Sequence, residues 1–242
     1  MQSMTTMQPQ TKQPQALPSL RIWRGIGLEL PPDWEMLRFA RTVTDGRCSF
    51  ADRYQLRLEL SWRVAPTAPD FQRLSTDYLS QLQKAGHDST AFTTRHAGPW
   101  HGIVGQTETM ANSRYSRHLV DAQLLVELVF FWPEELDAKC EARILSSVHA
   151  VPAAAPGVQR WRAFGMDLLA GSKLDLSLCR VNPADVCLQF TGGDGKRPQR
   201  RETFQRLGMV SRWLNVPVGD WLAEQLPHGT QDRHTTDREA RG

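Results

Sequence analysis

An eight-residue pattern occurs twice in this chain. Trp23-Arg24-Gly25-Ile26-Gly27-Leu28-Glu29-Leu30 returns as Trp161-Arg162-Ala163-Phe164-Gly165-Met166-Asp167-Leu168, 138 residues on (161 minus 23). All eight positions match in identity or chemical type. A fixed period constrains the fold more than composition does, because it implies one supersecondary unit built twice. Each copy alternates, so the pattern predicts a strand over 23–30 and an equivalent strand over 161–168. Arg24 and Arg162 open the apolar faces, with their stems on the core. Gly25, Gly27, Ala163 and Gly165 form a small-residue face that another backbone or ring approaches closely.

The rest of the chain arranges itself around these two points. Residues 1–19 are rich in Gln, Thr and Pro without hydrophobic periodicity and read as a disordered tail; residues 229–242 are polar and charged and read the same way. Residues 151–157 (VPAAAPG) form a small, Pro-rich linker between a first module at 20–150 and a shorter second module at 158–228. In the first module, alternation predicts a strand over 54–64 with Leu56, Leu58, Leu60 and Trp62 on one face. A helix is expected over 68–85, capped by Thr67 and ended by Gly86, then strands near 101–109, 114–120 and 123–132. A second helix starts at Pro133-Glu134-Glu135. The second module reads as strands 161–168, 174–181 and 186–190, a helix over 200–214 with Phe204, Leu207, Val210 and Leu214 as its stripe, and a short helix around 218–226. Cys179 and Cys187 are expected opposite each other in the hairpin of the two later strands. The fold class is therefore α+β: antiparallel sheets with packed helices, in two related modules, the second shorter.

Leu30-Pro31-Pro32-Asp33-Trp34, the long strand from Leu56 to Trp62, and the helix from Pro69 follow one another as in the PsbP-like superfamily, which residues 20–150 resemble in element order. The resemblance implies antiparallel sheets between helices and members that mostly bind other proteins. It carries over no site residues.

Several chemistries are excluded by pattern. No apolar run approaches the roughly 20 residues that span a bilayer, and the N-terminus has no apolar signal region, so no membrane partner and a cytoplasmic location are expected. Four cysteines in 242 residues are too few for a disulfide scaffold. The net charge of +3 is small and spread along the chain, which disfavours nucleic acid as a partner. No Gly-x-Ser-x-Gly elbow occurs. Thr191-Gly192-Gly193-Asp194-Gly195-Lys196-Arg197 fails as a phosphate loop, with Phe190 where Gly is needed and Arg197 where Ser or Thr should follow. His96 and His101 flank a Gly-Pro turn, but no carboxylate or Cys lies nearby at ligand spacing, so no metal, cofactor or catalytic residue is assigned.

The remaining candidate is basic. Lys196, Arg197, Arg200 and Arg201 place four cations in six residues, ahead of the expected helix. Cations oppose the dipole at a helix N-terminus, so a reason beyond helix stability is implied, and an acidic protein surface supplies one. With eight Trp residues suited to binding surfaces, the sequence reads as a non-catalytic protein-binding or adaptor protein. The alternative is a small hydrolase or transferase with its site between the modules.

Overall fold

A computed structural model describes residues 19–84, 91–106, 111–193 and 198–225. It corrects the expected fold class. The described residues are β-rich, with three antiparallel sheets of five, three and seven strands, and their helices are short. Packed α+β layers do not form, because the strands bury their apolar faces mainly against one another rather than under helices.

The twice-occurring pattern is a turn, not a strand. β1 (Ser19–Trp23) and β2 (Ile26–Leu30) pair with Trp23 opposite Ile26, leaving Arg24 and Gly25 as a two-residue loop. β11 (Val158–Ala163) and β12 (Met166–Gly171) pair with Ala163 opposite Met166, leaving Phe164 and Gly165. All four loop residues have positive φ, at 51° and 75° in the first turn and 54° and 73° in the second. That is the geometry of the tight hairpin turn whose twist matches right-twisted strands. The glycine supplies the second left-handed position at no steric cost.

Matching the turns shifts the repeat spacing from 138 to 140 residues (164 minus 24), and the rest of each copy then falls into line. Residues 29–39 and 169–179 carry the same order of exposed, half-buried and buried positions. The amide of Trp34 donates to the Pro31 carbonyl at 3.1 Å, and that of Leu174 to the Gly171 carbonyl at 3.0 Å. β3 (Glu35–Phe39) pairs with β4 (Asp45–Ala51), with a bulge between Met36 and Arg38. β13 (Asp175–Asn182) pairs with β14 (Asp185–Gly193), with a bulge between Leu176 and Leu178. Phe50 faces Met36 and Phe190 faces Leu176. Trp23 and Trp161 are thus not equivalents. Their match spans a two-residue slip, which in a strand moves every side chain along by one full period and preserves the face.

The two hairpins join in one sheet, ordered β10 (His149–Ala150), β2, β1, β11, β12. Across the β1–β11 junction Ile22 faces Arg162, its own equivalent at spacing 140. A residue that meets its own counterpart lies on a local two-fold axis, so the halves meet as subunits do in an isologous dimer. The junction is aromatic. Trp23 meets Trp161 edge-on at 5.2 Å, Phe164 packs on Trp23 and Phe39, and the Arg24 guanidinium lies 5.2 Å over the Trp161 ring.

In the first copy the meander continues. β5 (Leu56–Val64) pairs with β4 and, along its other side, with β9 (Leu124–Trp132); β8 (Ala111–Leu119), β7 (Trp100–Gln106) and β6 (Phe92–Ala97) complete seven strands. β6, unexpected from the sequence, is FTTRHA and almost wholly exposed, so it lacks an apolar rhythm. α1 (Phe71–Lys84) begins later than expected, and its cap is Asp70, whose carboxylate accepts from the Arg73 amide at 3.0 Å. α2 (Ala138–Ser147) starts after Asp137, which accepts from the Cys140 amide, rather than at Pro133. α2 turns Glu141 into the core with Ile144 and Leu145. The Glu141 carboxylate accepts from Tyr115 Oη at 3.0 Å, Trp132 Nε1 at 2.8 Å and Ser113 Oγ, so it is buried with its acceptor capacity used. Burial, with that carboxylate beside it, pushes the Tyr115 hydroxyl well above its usual range.

The second copy departs from expectation most. Residues 198–207 form β15 (Pro198–Leu207), a ten-residue strand on β14, where the spacing of apolar residues predicts a helix over 200–214. β14 buries Val186, Leu188 and Phe190 on one face, and as the strand between β13 and β15 it has its backbone groups paired on each side. Only α3 (Val210–Trp213) and α4 (Val218–Gln225) follow it among the described residues. The cysteine register is also corrected. The β13–β14 loop is Pro183-Ala184, so Cys179 faces Leu188 and Cys187 faces Arg180, which puts the two thiols on opposite faces. All four cysteines are free thiols.

Candidate partner-binding surface

Arg200 and Arg201 stand on β15, not in front of a helix, so the dipole argument that singles them out in the sequence does not apply. Lys196 and Arg197 lie outside the described residues. Successive strand side chains point to opposite faces. Arg200, Glu202, Phe204 and Arg206 share the face toward the β11–β12 hairpin. There Glu202 accepts from the Gly171 amide at 3.0 Å, Phe204 packs edge-on against Phe190 at 5.9 Å, and the Arg206 guanidinium nears Gly165. Arg201, Thr203 and Gln205 take the other face and are exposed.

The four cations are therefore not one cluster. Arg200 is paired with Glu202 at 2.6 Å, in an exposed geometry that contributes little. Arg201 and Arg206 have no ion pair among the described residues. Arg206, which no sequence pattern singles out, borders a groove of about 790 Å³ between the two copies, walled by Arg21, Phe39, Phe164, Val181 and Pro183. Leu37 and Val181 stand exposed there, at 61% and 41%. Beyond β15, Met209, Trp213, Val216 and Val218 are also exposed, and Trp213 leans on Trp221 at 5.7 Å.

His96 and His101 belong to different surroundings. They face each other across the β6–β7 hairpin with ring centroids 4.9 Å apart. His101 also stacks on Phe71 of α1 at 4.2 Å with rings nearly parallel, 4° apart. Burial first, and the neighbouring His96 second, hold the His101 pKa below its ordinary value. A polar cleft of about 290 Å³ opens beside it, under α1. Two of its charges engage each other: Glu127 takes the Arg114 guanidinium at 3.0 Å and the Ser116 hydroxyl at 3.1 Å, and Arg114 lies over the Tyr78 ring. Neither histidine lines the groove between the copies. Among the described residues no group of three or more His, Cys, Asp or Glu stands together as metal ligands, and no helix is long and apolar enough to cross a membrane.

The chain matches no protein-family model and no curated protein. Among solved structures, a crystal structure of a Bacteroides thetaiotaomicron VPI-5482 protein is similar over 57% of this chain and 49% of its own length, at 12% identity and a TM-score of 0.31. The chain thus spans about half of that protein, and a likeness of this size carries no argument about fold or function.

Proposed function

We propose that the protein is a non-catalytic protein-binding or adaptor module whose second copy binds an acidic partner through β15. The observation that carries this reading is the exposed Arg201 and Arg206, one on each face of β15, without a carboxylate partner among the described residues. Cations placed this way retain their field for an incoming surface, and act over about a Debye length, roughly 8 Å in physiological salt. The exposed Leu37 and Val181, which line the same groove as Arg206, and the exposed Trp213, which follows β15 in the chain, add contact area of the kind that binding surfaces use. Lys196 and Arg197 belong to the same proposed basic segment by sequence.

The test is to identify a partner by affinity capture from the native source and then measure its affinity directly against rising salt. Changing Lys196, Arg197, Arg200 and Arg201 to Ser should weaken binding and flatten its salt dependence, with little change in thermal stability from the exposed Arg200 and Arg201. An identified partner whose affinity and salt dependence are the same for both proteins would sink the reading. The hydrolase or transferase reading finds no support in the groove between the copies, whose titratable residues are Arg21, Glu35 and Arg206.

A further inference from the structure

The second copy lacks two strands that flank the first, and among the described residues this leaves the edges of β12 and β15 open. β5 faces β4 with Leu58 opposite Phe50, and β15 faces β14 with Glu202 opposite Phe190, the equivalent phenylalanine. β5 and β15 therefore hold the same place in the two copies. On its far side β5 carries β9, antiparallel over seven residue pairs from Leu58–Phe130 to Val64–Leu124. Among the described residues no strand occupies that side of β15.

Other edges are open too, and comparison of the copies separates them. β3 and β13 are edges in both copies, so their openness belongs to the unit itself. β12 and β15 are edges only where the first copy is covered, by β10 on β2 and by β9 on β5. The β10 cover is two residues long, whereas β9 is nine and β15 is ten. β15 is thus the position where one copy has a full-length neighbouring strand and the other has a bare edge among the described residues. An exposed edge of this length is a template for another chain.

We infer that β15 receives an extended, acidic segment of a partner protein as an added antiparallel or parallel strand, in the place that β9 holds on β5. This rests on the proposed protein-binding function and states its mode. Charge selects the occupant. Along the edge stand Arg200, Arg201 and Arg206, against the single carboxylate of Glu202, which is already engaged by the Gly171 amide and Arg200. A second copy pairing β15 to β15 about a two-fold at Thr203, near the strand's middle, would set Arg200 opposite Arg206, and like charges directly opposite oppose pairing. A strand bearing Glu or Asp meets cations on both faces. Main-chain hydrogen bonds to the edge then give the affinity, and the arginines give the selectivity.

The probe is a fluorescent nine-residue peptide of alternating Glu and Val, matched in length to β9, with an alternating Lys and Val peptide as control. Binding is read by anisotropy and by amide exchange along 198–207 in the full chain. The Glu peptide should bind and slow exchange at alternate β15 residues, because the intervening amides already face β14. The Lys peptide should not bind. Arg201→Glu, an exposed change, should weaken the Glu peptide by about tenfold or more. Binding that needs Arg201 but leaves every β15 amide unchanged overturns strand addition and leaves the charge-based reading standing. Failure of the Glu peptide to bind at all also overturns strand addition; the salt series on an identified partner then decides the broader reading separately. A dimer that forms with concentration and protects β15 without peptide would overturn the choice of occupant.

Discussion

At the scale of single residues, Glu141 fixes α2 on the seven-stranded sheet. Its carboxylate takes hydrogen bonds from Ser113, Tyr115 and Trp132, which stand on two adjacent strands. Glu141→Leu removes the acceptor for three buried donors and should cost roughly 3–5 kcal/mol, since each unsatisfied buried group costs about 1–3. Glu141→Gln keeps one carbonyl oxygen and should cost less, about 1–3 kcal/mol. Urea denaturation of the two variants measures both. Equal, small losses would show that the carboxylate is dispensable. The sequence does not announce this residue. The spacing of Leu136, Cys140, Ile144 and Val148 predicts an apolar stripe; Ile144 and Val148 are buried and Leu136 and Cys140 pack against the core, but Glu141 is buried beside them. Nothing in the spacing announces that carboxylate, because its partners are brought together only by the fold. The basic residues teach the opposite lesson. Arg200 and Arg201 are legible as unusual, but the reason drawn from a helix dipole belongs to a helix that is not there.

At the scale of elements, α1 shows how a loosely held segment responds to its contacts. It has no fully buried residue and meets the sheet through Phe71 stacked on His101. The folded-state pKa of His101 is lowered, by burial and then by His96, so the unfolded chain takes up the proton more readily. Stability from this contact is fully present above the ordinary histidine value of about 6.5 and falls as pH drops through it toward the folded pKa. Amide exchange in α1 should therefore quicken between about pH 7 and pH 5. His101→Phe keeps an aromatic partner for Phe71 and should remove that pH dependence. An α1 exchange rate that changes equally in both proteins, after correction for intrinsic exchange, would assign the effect elsewhere. Among the strands, those with strict alternation are readable and those set by neighbours are not. β5 carries its alternation openly in LRLELSWRV, and β9 is readable as an apolar run on both faces, LLVELVFFW. β15 carries neither signal: Phe204, Leu207, Val210 and Leu214 fit a helical stripe as well as anything. The strand forms because the backbone groups of β14, whose Val186, Leu188 and Phe190 are buried, are paired on each side, a demand of another segment altogether.

At the scale of the whole molecule, repetition is legible but its unit is not. The visible octapeptide match points to a duplicated strand at spacing 138, whereas the duplicated object is a hairpin followed by a bulged meander at spacing 140. The likeness around the tryptophans is two residues out of register with the duplication, and the equivalence is carried by turns, bulges and burial, features that many side chains satisfy. The two copies then share β1 and β11 across one sheet and bury Trp23, Trp161 and Phe190 in one continuous core. Such sharing predicts one cooperative unfolding transition rather than two, since neither copy keeps its aromatic junction without the other. Far-ultraviolet circular dichroism and tryptophan fluorescence should give coincident denaturation curves. Trp161→Ala tests the coupling most directly. Its ring is 2% exposed, lies 5.2 Å from Trp23 and 5.1 Å from Phe190, and supports Arg24 from the other copy. Truncation should cost about 3–5 kcal/mol and lower the midpoint for both halves together. Amide exchange in β5 and in β14 should rise in parallel. If β14 alone loosened while β5 kept its protection, the halves would be independent folding units that merely touch, and the local two-fold junction would be an accessory to the fold rather than its centre.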